Sequence, residues 1–105
     1  MTSVLAQSLP IKPRQFITAP VYTKFLAVAL DHRHNNCLLW TLEDGDNKSE
    51  SVEIIMLRLN DALDPVNAKY IGNFKDNAGI VHVFALRESE RNILRAVAPA
   101  AEAKK

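Results

Sequence analysis

The residue types able to do chemistry lie in a few short stretches of this chain. Asp31-His32-Arg33-His34 brings two histidines and a carboxylate together, and His82 stands between Ile80 and Phe84. Histidines at alternate positions of a strand point the same way, as metal ligands must, but a structural zinc site needs four ligands and a catalytic one three. No third ligand is fixed by spacing here, so the histidine pair is expected to form a solvated hairpin tip, with no metal bound. Asp44-Gly45-Asp46-Asn47 opens like a calcium loop. The pattern then fails, because Lys48 and Ile55 occupy positions that must carry oxygen ligands.

His82 could act as a general base, yet no serine or cysteine nucleophile has a spacing that ties it to this residue. Cys37 lies among leucines and is expected to be a small buried hydrophobe. As the only cysteine it excludes an internal disulfide. Only 3 glycines occur, and no glycine-rich loop is present to cradle a phosphate. No catalytic set assembles, so the expectation is a protein that is not an enzyme, with no catalytic residue and no cofactor.

Charge narrows the class of partner. The 13 basic and 12 acidic residues leave a net charge of +1, without the concentrated positive charge that a phosphate backbone calls for. The aromatics are spread through the strands, which is core usage and differs from the exposed stacking ladder of a single-strand binder. Trp40, between Leu39 and Leu42, is expected to anchor the core. No window approaches the ~20 apolar residues of a membrane-spanning helix, and no secretory signal is visible at the start. The implied partner is a protein, with no nucleic acid and no membrane, and a homo-oligomer is left open. Synthesis is expected in a host cytoplasm.

The elements that position these residues are mostly strands. Residues 1–20 carry Pro10, Pro13 and Pro20, each of which fixes φ and withholds a donor. This segment is expected to be an extended N-terminal arm with a short edge strand over Arg14–Thr18. Its Leu5, Leu9, Ile11, Arg14 and Phe16 are the candidate partner-binding residues, since a disordered tail carries fewer apolar side chains. Residues 21–88 are expected to form the β domain. Its strands run over Lys24–Leu30 (with Leu26, Val28 and Leu30 on one face), Cys37–Leu42, Val52–Leu59, Lys69–Phe74 and Gly79–Leu86. Asn35 and Asn36 suit a turn at positive φ, Asp44–Ser51 a solvated loop, and Gly72 a bulge or a close backbone approach. Val52–Leu59, apolar on both faces, is expected to be central or to have a covered outer face. Residues 89–105 are expected to give a short helix from Ser89 to about Ala98 and a polar tail. The fold class is therefore mainly β, a five-stranded, mostly antiparallel sandwich or open barrel with an N-terminal arm and a C-terminal helix.

The runs Lys24-Phe25-Leu26-Ala27-Val28, Cys37-Leu38-Leu39-Trp40-Thr41-Leu42-Glu43-Asp44, Lys69-Tyr70-Ile71-Gly72-Asn73-Phe74 and Ile80-Val81-His82-Val83-Phe84 resemble a family of uncharacterised small proteins of tailed bacteriophages and some bacteria. Its members carry "Leu-Trp-Ala-Leu-Val-Asp", a later "Tyr-Leu-Gly-Thr" and a closing "Trp-His-Val-Phe". The similarity spans Val21 to Leu86. Val81 stands where that family often has tryptophan, and Leu57-Arg58-Leu59-Asn60-Asp61 replaces its glycine-rich stretch. The resemblance implies a phage context and assigns no site residue. The leading expectation is a virion accessory protein, a capsid decoration or minor structural component, that grips neighbouring subunits by strand addition. The alternative is a phage-encoded regulator that binds a host enzyme. A third, a metal-dependent module on His32, His34 and His82, lacks its ligand set.

Overall fold

A computed structural model describes residues 1–62 and 67–90 of the chain. These residues form seven strands: β1 (Thr2–Leu9), β2 (Arg14–Pro20), β3 (Lys24–Asp31), β4 (Asn36–Asp44), β5 (Ser49–Leu57), β6 (Lys69–Asp76) and β7 (Gly79–Arg87). They build two antiparallel sheets, one of three strands in the order β1-β4-β3 and one of four in the order β2-β5-β7-β6. Residues 88–90 are helical, and no described helix is long and apolar enough to cross a membrane. The rest of the helix expected from Ser89, the tail after it and Asp64-Pro65 lie outside the described residues.

The expected five strands become seven because residues 1–20 form two strands in place of an extended arm. The prolines punctuate these strands without breaking them. Pro10 and Pro13 occupy the turn between β1 and β2, and Pro20 ends β2, an edge strand where a missing donor costs least. β1 pairs with β4 from Thr2↔Asp44 to Leu9↔Cys37, and β2 pairs with β5 from Arg14↔Ile55 to Pro20↔Ser49. The chain thus passes between the two sheets at residues 10–13, at residues 21–23 and again at the turn after Asp44. The loop expected over Asp44–Ser51 shrinks accordingly, with Asn47 N donating to Asp44 O at 3.1 Å.

The core lies between the sheets. The four-stranded sheet contributes Ala19, Val52, Ile54, Met56, Phe74, Val81, Val83 and Ala85, and the three-stranded sheet Leu9, Cys37 and Leu39, with Phe25, Val28 and Leu30 packed against them. β5 is central, between β2 and β7, which is why it is apolar on both faces. Cys37 is fully buried, and desolvation pushes its thiol up to about 11.

Two register shifts shape the seam where β3 of one sheet runs beside β6 of the other. One bulge lies between Phe25 and Ala27 in β3, the other between Tyr70 and Gly72 in β6. The β3 bulge puts Leu26 out of phase with Val28 and Leu30, so it is exposed instead of sharing their face. At Gly72 the space for a Cβ is bounded by Val28 Cγ2 at 3.4 Å, the close approach expected of a strand glycine. Asn35 has φ 53° in the β3–β4 turn, as its type suggests.

Leu39→Ala should destabilise the fold by about 3 kcal/mol through lost burial and a residual cavity, visible as a lower urea midpoint with an unchanged slope. The Cys37 thiol should be unreactive toward a thiol-specific reagent in the native protein and react in full once the chain is unfolded.

Candidate partner-binding surface

Cross-strand register settles which side chains share a face. In the three-stranded sheet, Leu9, Cys37 and Leu30 align on the core side, followed by Gln7, Leu39 and Val28. The opposite face carries Val4 and Lys24 on either side of Leu42, then Ala6, Trp40 and Ala27 in one row, then Ser8, Leu38 and Ala29 in the next. Trp40 therefore belongs to an outward apolar platform and is only half-buried, not the core anchor its neighbours suggested.

β1 borders this platform and is exposed along most of its length, with Val4 62% and Leu5 48% accessible. Among the described residues its one strand neighbour is β4, so its second edge of backbone donors and acceptors faces outward. No charge, proline or register shift interrupts Thr2–Leu9.

The polar motifs singled out above turn out to hold this strand at both ends. Asp31 Oδ2 accepts from Ser8 Oγ at 3.2 Å and stands 3.0 Å from His34 Nδ1, while Asn36 Nδ2 donates to Ser8 Oγ at 3.1 Å. The hydrogen bond from His34 is the main cause that holds the Asp31 carboxyl below its usual range. At the other end, the Met1 ammonium lies 3.1 Å from Asp44 Oδ1 and 2.7 Å from Asp46 Oδ2. Asp46 and then Asp44 raise the ammonium, and Asp44 is itself lowered, chiefly by the Asp46 backbone N–H. Among the described residues no three metal-ligating side chains come together.

The five candidate arm residues divide by direction. Leu9 is in the core and Ile11 packs against it, Leu5 lies on the same side of β1 as Leu9 but near half exposed, and Arg14 and Phe16 face outward. Arg14 Nε pairs with the buried Glu53 Oε2 at 3.2 Å, and Phe16, 61% exposed, lies opposite Glu53 in the β2–β5 ladder. Leu5 alone among the three belongs to the uncharged β1 edge. Val4, Ala6, Trp40 and Leu42 join it on the structure's account. Their signal in the sequence is β4 itself, whose Leu38-Trp40-Leu42 row is as apolar as its Cys37-Leu39-Thr41 row.

His82 lies half-buried on the outward face of β7. Its Nδ1 is 3.0 Å from Tyr70 Oη, which also accepts from Asn73 Nδ2 at 2.8 Å, and the Tyr70 ring meets Phe84 edge-on at 5.2 Å. Its hydrogen-bond partner is thus a phenol, with no serine, cysteine or carboxylate bonded to it among the described residues. The arginine nearest this corner, Arg58, is committed to a two-pronged bond with Asp76 at 3.0 and 2.6 Å. Those bonds are the main cause that holds the Asp76 carboxyl at about 2.

The fold and surface define a two-sheet antiparallel β domain with one plain, uncharged edge strand. The chain belongs to the family described as Domain of unknown function (DUF7352), whose model matches residues 1–93. That match takes in β1 and β2, so the family domain begins well before Val21. No curated protein and no solved structure matches the chain.

Because Asp76 is held below the ordinary 3.8, the unfolded chain takes up the proton first as pH falls. The contribution of the Arg58–Asp76 pair is fully present above about pH 4 and is lost as pH falls from there toward about 2. Urea midpoints measured between about pH 2 and 7 should show Asp76→Asn lowering stability near neutrality and flattening part of the acid limb.

Proposed function

We propose that this chain is a non-enzymatic protein–protein interaction module that contacts its partner through strand β1, and that it serves as a virion accessory protein. The observation that supports the contact is the β1 edge. Eight consecutive residues without a charge present free backbone groups on one side and apolar side chains on a face that nothing described covers. Soluble proteins ordinarily blunt such an edge with lysine, proline or a bulge, and an unblunted edge is the structural requirement for strand addition. The Trp40 platform borders it and supplies specificity. The virion context rests on the resemblance of the four strand runs to the phage family.

The test is quantitative mass spectrometry of purified particles, together with tagged capture from producing cells. The chain should be present at fixed stoichiometry in particles. The pair Val4→Lys and Leu5→Lys, with an unchanged thermal midpoint, should remove it about tenfold or more, since each introduces an uncompensated charge into the paired edge. Unaltered incorporation and unaltered capture by the double variant would dismiss the β1 contact, and absence from mature particles would dismiss the virion role.

A further inference from the structure

Among the described residues the two sheets have four strand edges, and three of them are blunted. The edges of β3 and β6 lie beside each other, and each carries a bulge and at least one lysine: Lys24 in β3, Lys69 and Lys75 in β6. The β2 edge carries Arg14 and Pro20. Only β1 has none of these devices, over a full ladder of regular pairing with β4 and with both ends fixed by hydrogen bonds or ion pairs. An edge in this state is pre-organised for a second strand.

The composition of β1 specifies which strand that is. Thr2-Ser3-Val4-Leu5-Ala6-Gln7-Ser8 is a near-palindrome in polarity about Leu5. When a second copy runs antiparallel with Leu5 on the two-fold axis, Leu5 meets its own equivalent, Val4 meets Ala6, Ser3 meets Gln7 and Thr2 meets Ser8. Apolar then faces apolar and polar faces polar, at every position and in both directions, as an isologous interface requires. Directly opposed side chains are the unit of sheet stabilisation, and no charge is present to repel. Sliding by one residue sets Val4 against Gln7 and turns one copy's core-side face outward. The centred register keeps the two cores on one side of a continuous sheet and joins the two Trp40 platforms on the other.

We propose that β1 pairs with β1 of a second copy of this chain across a two-fold axis through Leu5, making one six-stranded sheet from two three-stranded ones. This rests on the assignment of β1 as the contact edge and names its occupant.

The purified full chain should sediment at twice 11.7 kDa. Directly opposed residues have Cα atoms about 4.5–5.5 Å apart, within disulfide range. Leu5→Cys should therefore form an intermolecular disulfide under oxidised glutathione. Ser3→Cys should not, because in this register the two copies of residue 3 lie about 13 Å apart. The native Cys37 is buried and stays silent. Leu5→Lys and Leu5→Glu should each raise the dimer dissociation constant by about tenfold or more, and mixing the two should restore a mixed dimer. That restoration excludes misfolding as the cause.

A chain that stays monomeric at about 100 μM, with Leu5→Cys remaining a free thiol, would overturn self-pairing, as would equal cross-linking of Ser3→Cys. If the monomer's β1 amides become protected from exchange when a capsid subunit is added, self-pairing fails while the contact edge stands. If Val4→Lys with Leu5→Lys leaves every complex intact as well, both fail.

Discussion

Backbone hydrogen bonding is the constraint on which this structure depends. Each residue of a strand offers a donor and an acceptor, and a buried group left unpaired costs more than a formed bond contributes. The fold meets this demand with two antiparallel ladders whose facing sides are filled by Leu39, Val52, Ile54, Val81 and Val83, all nearly or completely buried. Where the ladders end, the sequence supplies bulges, lysines or proline, except along Thr2–Leu9.

Clusters that look chemical in the sequence act here on architecture. Asp31 and His34 fix the Ser8 end of β1, and Asp44 and Asp46 fix the Met1 end. These carboxylates hold a strand in register. Arg58 and Asp76 tie the end of β5 to the end of β6 in the same fashion, and Tyr70, Asn73 and His82 link β6 to β7. Polar pairs of this kind add little to net stability when exposed, but they restrict where strand ends can sit, and that restriction is what the proposed contact edge needs.

Several features were legible in the residues. Short apolar runs bounded by turn residues located β3, β4 and β7, apolarity on both faces placed β5 at the centre of its sheet, and Gly72 announced the bulge beside Val28. The N-terminal strands were harder to see, because β1 is exposed on both faces and so lacks the polar–apolar alternation that burial imposes. Trp40 was ambiguous for the opposite reason: β4 is apolar on both sides, and only pairing with Ala6 and Ala27 shows which row faces out. The clamps on β1 join residues more than forty positions apart at the Met1 end. No local pattern encodes such a contact.

The blunting of three edges has a consequence for valency. A subunit with two adhesive edges polymerises, since every addition leaves a fresh end to extend. A subunit with one adhesive edge behaves as a chain terminator: a single pairing event saturates it, and growth stops at a closed pair. Under the proposed β1 contact, the lysines and bulges of β3 and β6 and the proline of β2 leave one described edge open to strand addition.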